Sequence, residues 1–324
     1  MAVERRRLHL AGALAASACI PSLARAADYP SKEVRIVVPY PPGGATDFIG
    51  RTLAAELTSR LGKSVIVENR PGAGTNIAAE FVVRAPADGH VILLADSATL
   101  ATNKTLYRKL PYDPQRDLVP VARVARIPLL LVAPAGGDTR TLSMLLAKAR
   151  SDEISYGSPG LGSPHHLAMA LYARRAGLNI NHVPYKGAAP VLQDLLGGRL
   201  DAAFLDLPTV RGAMGGGRIK VLAVGTKDRL DAMPGVSTLD ESGAGGFDAF
   251  AWQGIVVPAG TPANVVARLG AALDDILRTP AVVKKLDEAG VLAAPAPQAE
   301  FARFIAEESA RWGAVIRETG LSLE

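Results

Sequence analysis

One succession recurs along this chain: a short apolar run, a turn of glycine, proline, serine or threonine, and then apolar residues at helical spacing. Its first instance, Val34 to Asp47, shows what it demands of a fold. Val34, Ile36, Val37 and Val38 read as a buried strand. Pro39, Pro41 and Pro42 stop that strand, because proline offers no ladder donor and turns the preceding residue away from the helical region. Gly43 and Gly44 allow a tight turn or a close approach of backbone to a ligand. Thr46 and Asp47 are capping types, and Ile49, Leu53, Leu57 and Leu61 follow at helical spacing from Phe48. Such a turn presents unpaired N–H groups and a positive dipole end, which suits an anion. Two readings stand at this point: an anion cradle formed by Tyr40, Pro41 and Gly43 to Thr46, or an ordinary strand-to-helix turn with its cap.

The succession continues. Strands at Ser64–Glu68 and Val91–Ala95 flank a helix near Asn76–Arg84. The turn from Asn69 to Asn76 is again glycine-rich, and the one from Asp96 through Ser97 to Thr99 is short and polar. Right-handed crossovers place all three turns at the carboxyl edge of a parallel sheet, where open α/β folds bind ligands. The apolar run Val119–Ala133 is too continuous for one surface strand and reads as chain crossing into a second domain. There the alternation restarts, with strands at Ile154–Gly157, Asn181–Tyr185, Ala202–Leu205 and Ile219–Gly225. Helices follow at His165–Ala176 and up to Leu196, and Phe250–Pro258 is a second apolar crossing. Helices near Pro262–Leu277, Pro280–Ala289 and Ala299–Thr319 close the chain. The expected architecture is α/β with parallel-rich sheets in two domains. The first is discontinuous, 27–125 with 248–324, the second is 126–247, and a ligand crevice lies between them.

Composition narrows the function. At 324 residues, with 48% hydrophobic and 21% charged, the chain is globular and long enough for two cores. Arg5, Arg6, Arg7 and Arg25 against Glu4 supply three of the five net positive charges, so the remainder is near neutral. That balance, with 5% aromatics, gives no basis for nucleic-acid binding. The arginine run, the apolar stretch Leu8–Leu23 and Ala24-Arg25-Ala26 read as a secretory leader spanning 1–26, cleaved before Ala27. Periplasmic export is expected, by the general or the twin-arginine route. The lone cysteine, Cys19, lies inside the leader and is the alternative lipidation site; the mature chain has no disulfide.

Catalytic signatures are missing. Gly62-Lys63-Ser64 lacks the earlier P-loop glycine at Leu57, and no serine lies in G-x-S-x-G. A Ser163/His166/Asp206 triad has only residue types in its favour. His165, His166 and His182 carry no metal-site spacing, and no cofactor is expected. The turns instead offer N–H and hydroxyl donors suited to a carboxylate: Asn76, Ser97 and Thr99, then Ser158, Ser163 and His166, then Lys186 and Gly187. Lys186 is either a ligand contact or a solvated loop lysine. Asp47 reads as a brace for its loop, and Asp206 as an acceptor for a ligand ammonium or hydroxyl or as an interdomain structural acid.

Seven stretches in order resemble a known family: IVVPYPPGGATD, VENRPGAGTNIAAE, APADGHVILL, YGSPGLGSPHHLA, VPYKGAAPVLQDLLGGRLDAAF, VLAVGTKDR and WQGIVVPAGTPANVVARL. They are similar to the periplasmic receptors of tripartite tricarboxylate transporters, the Bug receptors, over nearly the whole mature chain. The resemblance implies a two-domain Venus-flytrap protein that is monomeric and not an enzyme. It would capture a small organic carboxylate for a membrane permease. It also implies that Gly43, Gly44, Ala45 and Thr46 hold the carboxylate with ordered water. Ser158, Ser163 and His166 would contribute from the second domain, with Lys186, Gly187 and Asp206 at the border. Thr75 and Asp96-Ser97-Ala98 depart from the family pattern. An acid at Asp96 favours a ligand bearing an amine or hydroxyl, or is turned away. A periplasmic sensor acting on a membrane signalling protein and a periplasmic hydrolase are the alternatives.

Overall fold

The computed structural model describes residues 29–323. The leader, its cleavage site and Cys19 lie outside the described residues. In the first lobe, β1 (Val34–Val38), β2 (Val65–Asn69) and β3 (Val91–Asp96) pair in parallel with β1 in the middle. Between them run α1 (Ala45–Leu61) and α2 (Asn76–Val83). Val38 ends β1 where the prolines begin, so the strand stops two residues earlier than expected. Helix α1 begins three residues earlier than expected. Gly44 is its N-cap, and Thr46 and Asp47 lie inside the first turn.

After β3 the chain makes a π-helical turn, Ala98–Thr102, running into the short α3 (Asn103–Leu106). Then comes β4 (Leu118–Pro134), the expected crossing, as one long strand. Its first part pairs antiparallel with β9 (Phe250–Pro258) as far as Pro128↔Phe250. From Leu129 on it pairs with β7 (Ala202–Asp206) and β8 (Ile219–Val224). Two register shifts in the β9 pairing, between Pro120/Ala122 and Arg123/Ala125, accommodate Pro120 and bend the strand. One strand therefore belongs to both lobes, and with β5 (Ile154–Ser158) and β6 (Ile180–Pro184) the strand order is β2-β1-β3-β9-β4-β7-β5-β6.

In the second lobe, β5 (Ile154–Ser158) pairs in parallel with β7 and with β6 (Ile180–Pro184). Its helices are α4 (Leu142–Ser151), α5 (Pro164–Ala176), α6 (Ala188–Leu196) and α7 (Leu207–Gly215). Each lobe thus keeps the expected parallel flank. The middle strands run antiparallel because the chain enters and returns between the lobes directly, without a crossover helix. The chain ends in the first lobe with α8 (Ala263–Arg278), α9 (Pro280–Glu288), β10 (Leu292–Pro297) and α10 (Gln298–Thr319). Four of these elements, α3, α4, α7 and β10, were not expected from sequence. Strand β10 pairs irregularly with β4, and its Pro295 and Pro297 argue against a regular strand. Glu308 of α10 is buried and accepts from the indole N–H of both Trp252 and Trp312 at 2.9 Å, tying the last helix to β9.

Close packing joins the lobes at two glycines. A Cβ on Gly162 (φ +72°) would lie 2.1 Å from Leu106 Cδ2, and one on Gly290 (φ +77°) 2.5 Å from Leu207 Cδ2. Side chains are excluded at both positions by space and by backbone conformation.

Candidate functional site

A cavity of about 290 Å³ opens between the lobes, at the small end of the roughly 300–1,000 Å³ usual for small-molecule sites. Four helices begin at it: α1 at Gly44, α5 at Pro164, α6 at Gly187 and α7 at Asp206. The sequence builds them alike, each N-terminus following a strand end and a turn containing glycine, proline or a capping residue. First-turn N–H groups have no intrahelical acceptor; Ser163 and Asp206 cap α5 and α7, whereas α1 and α6 start at glycines without a side-chain cap and so bring free donors and positive dipole ends to the cavity from both lobes. Ile127 of β4 and Ala251 of β9 supply apolar wall, and Asp96 and Gln253 supply polar wall.

The first expected loop is brought to the cavity almost whole: Tyr40, Pro41, Gly43, Gly44, Ala45 and Thr46 all line it. Asp47 does not. Its carboxylate turns back to accept from Gly43 N–H (3.1 Å), Arg51 Nε (2.9 Å) and Asn69 Nδ2 (2.9 Å). Burial opposes its ionisation, yet the bonds from Arg51, Asn69 and Gly43 outweigh that and hold its carboxyl below the usual range. Asn69 Nδ2 also donates to Tyr40 O (3.0 Å), so one buried carboxylate and one amide fix the loop at both ends.

Lys186, Gly187 and Asp206 line the same cavity from the second lobe. The remaining expected residues lie elsewhere. Asn76 Oδ1 accepts from Asn103 Nδ2 (2.7 Å), and Thr99 caps onto Asp96. Ser97 is buried at the start of the π-helical turn. The Ser158 hydroxyl donates to Gly160 O (2.9 Å) and lies 2.7 Å from His182 Nε2. Ser163 Oγ accepts from His166 N–H as the cap of α5. His166 Nδ1 accepts from Gly162 N–H (3.0 Å), and its ring stacks on His182 at 3.9 Å. Burial first, and then the His182 ring, push His166 down to about 3, so it is neutral at ordinary pH. With its hydroxyl accepting from backbone and its imidazole turned into this stack, the Ser163/His166/Asp206 triad is not assembled.

Three cavity residues carry polar groups that the sequence reading had not placed there. His165, beside the expected His166, lines the cavity, and both its ring nitrogens lack hydrogen-bond partners. Gln253 is buried and donates Nε2 to Thr46 Oγ1, while the other end of its amide is unpartnered. Thr209, at the first turn of α7, donates to Asp206 Oδ1. The available signal for Gln253 was a lone polar residue inside the apolar run AWQGIVVP.

A second cavity of about 830 Å³ adjoins the first and shares Tyr40, Pro41, Pro159, Lys186 and Gly187 with it. Ser163 and the strained turn Gly72–Thr75 line this outer space; Ala73 (φ 48°) and Thr75 (φ 80°) hold left-handed conformations there. Among the described residues no group of three or more His, Cys, Asp or Glu is placed to hold a metal.

Known proteins match this arrangement along its length. The family described as tripartite tricarboxylate transporter family receptor matches residues 49–321. Protein BugT of Bordetella pertussis is 37% identical, covering 98% of this chain and 99% of BugT. A structure of an R. palustris protein with adipate is 34% identical with a TM-score of 0.88, over 91% of this chain and 99% of that one. MatC from Rhodopseudomonas palustris with bound malate is 30% identical with a TM-score of 0.81, over 89% of this chain and 100% of that one. Those solved relatives share the two-lobed α/β fold described above, and at these identities over these spans the chain belongs to the tripartite tricarboxylate transporter receptor family.

Proposed function

We propose that this chain is an exported, non-catalytic solute receptor. It captures a small organic carboxylate between its lobes and delivers it to a tripartite tricarboxylate-type membrane permease. The observation that carries this reading is the convergence of four helix N-termini, from both lobes, on one small cavity. Donors from a single lobe would bind an anion in any conformation. Donors from both favour the closed state by their differential contact, which is how a ligand drives closure. The carboxylate sits at Gly44–Thr46, where the loop is held by Asp47 and Asn69, and Lys186 adds charge from the opposite lobe. The relatives solved with adipate and with malate support a carboxylate ligand. The division into 27–125 with 248–324, and 126–247, is drawn near the point on β4 where pairing passes from β9 to β7 and β8. The working compartment is the periplasm, and the receptor acts as a monomer.

A thermal-shift screen of the mature protein tests the reading, since a ligand that binds only the native state raises its melting temperature. Dicarboxylates, tricarboxylates, amino acids and aromatic acids form one arm, and neutral sugars the other. A carboxylate is expected to raise the melt; a shift from a neutral sugar alone overturns the reading.

A further inference from the structure

Two carboxylates line the cavity, and they differ in what their oxygens already hold. Asp96 is engaged at both oxygens: Oδ1 accepts from the Thr99 N–H and hydroxyl at 3.0 Å, and Oδ2 from the Tyr40 hydroxyl at 2.6 Å. It stands in the cavity wall tied to the loop and to the turn after β3. Asp206 is engaged on one side only. Oδ1 caps α7 by accepting from Thr209 N–H (3.0 Å) and Oγ1 (2.7 Å). Oδ2 has as its nearest cation or ring N–H the His165 Nε2 at 3.8 Å, beyond hydrogen-bond reach.

The Asp206 side chain is 8% exposed and that of His165 12%, and both His165 ring nitrogens are closed off from solvent. Burial opposes ionisation of Asp206, but His165 and Thr209 outweigh it and keep the carboxyl below its usual range, so Oδ2 is an anionic acceptor. His165 offers one ring nitrogen as donor and the other as acceptor when neutral, and neither is engaged. Ionised plain dicarboxylates carry acceptors only and leave Oδ2 without a donor. A ligand hydroxyl donates to Oδ2. An ammonium donates to Oδ2 and neutralises it.

We infer that the ligand is a carboxylate that also carries a hydroxyl or ammonium group, and that this group donates to Asp206 Oδ2 on the cavity wall, beside His165. The inference rests on the carboxylate-receptor reading and names the ligand class within it. Its carboxylate lies at the N-terminus of α1, so the two lobes read different parts of one molecule. Asp206 is then the residue that separates substituted from unsubstituted acids.

Isothermal titration of the mature protein with three matched sets tests this: succinate, malate and aspartate; glutarate, 2-hydroxyglutarate and glutamate; adipate, 2-hydroxyadipate and 2-aminoadipate. Members of a set differ only at C2, so the comparison isolates the donor, and the hydroxyl and amino arms say which donor is read. In a set that binds, the hydroxy or amino member is expected to bind at least tenfold more tightly than the plain diacid. Asp206→Asn keeps a cap acceptor for Thr209 but turns Oδ2 into an amide that can donate. That variant is expected to lose the preference and to gain affinity for the plain diacid. Equal or tighter binding of the plain diacid to the wild-type protein in every set that binds overturns the inference and leaves the receptor reading standing, with no need for the variant. An unchanged preference in a folded Asp206→Asn also overturns it. Binding of no member of any set overturns the inference and leaves the receptor reading to the wider thermal-shift screen.

Discussion

Asp47 is the residue whose removal tests the loop architecture most sharply. Asp47→Ala deletes acceptors for Gly43 N–H, Arg51 Nε and Asn69 Nδ2 at once. Arg51 is 56% exposed, so its ion pair contributes under about 1 kcal/mol after solvent screening. Asn69 is half-buried, and its amide proton left unpaired costs about 1 kcal/mol or somewhat more, while Gly43 is exposed and its N–H turns to water, for a total of about 1–2 kcal/mol. In a chain of this size that lowers Tm by about 3 °C. Carboxylate affinity is expected to fall by more than the stability loss alone explains, because Gly43 and Gly44 lose their anchor to β2. The Asp47 carboxyl is held below its ordinary value of 3.8, so its contribution is fully present above about pH 4 and is lost as pH falls through the lower folded-state value. The stability gap between wild type and Asp47→Asn should therefore be open at pH 7 and narrow below pH 4. Urea unfolding at several pH values, read by tryptophan fluorescence, measures it. A gap absent at pH 7, or constant down to pH 3, refutes the reasoning.

Three further outcomes follow from the geometry. Gly162→Ala puts a methyl 2.1 Å from Leu106 Cδ2 across the lobe contact, in a left-handed conformation. It should weaken ligand binding at least tenfold, with partial rescue by Leu106→Ala; full affinity in the single variant contradicts the close packing. Glu308→Ala leaves the indole N–H groups of Trp252 and Trp312 buried and unpaired, at a cost of about 2–4 kcal/mol. A urea midpoint unchanged from wild type would show that α10 is not held this way. Burial pushes His166 down to about 3 and His182 to about 4, so both are neutral in the fold while the unfolded chain takes up protons below about 6.5. Stability is thus full above that pH and declines as pH falls toward 4, by up to about 1.4 kcal/mol per pH unit for each ring. His182→Gln should flatten that decline, and an identical slope in the variant rules the stack out as its source.

What the sequence disclosed, and what it hid, divides along physical lines. The first loop was legible because proline and glycine dictate backbone shape locally, and Asp47 is bound to Gly43 only four residues away. The crossing strands were legible as apolar runs with no polar face. His165 and His166 illustrate the limit. Adjacent residues on a helix point about 100° apart, so which of them meets the cleft depends on how α5 docks on β5 and β7, and that is tertiary information. Ser158 followed a strand just as the binding turns do, but its hydroxyl is engaged by Gly160 and lies against His182 from the neighbouring strand. Helix α4 carried readable signals, a Thr141 cap bonded to Met144 N–H and buried Leu145 and Ala149. Helix α7 carried one as well, Pro208 in its first turn after the Asp206 cap. Strand β10 did not, since its prolines weigh against a ladder that exists only irregularly beside β4.

The central claim is that a carboxylate is gripped at the N-terminus of α1 by donors that closure brings together with those of the second lobe. A crystal structure of the mature protein with the tightest-binding acid from the screen tests it directly. The account predicts a carboxylate oxygen about 3 Å from first-turn N–H groups among Gly44, Ala45 and Thr46, with Asp47 still turned back onto Gly43 and Asn69. A carboxylate bound away from α1, whether in the outer cavity beside Gly72–Thr75 or on the far face near Arg123 and Arg278, contradicts it.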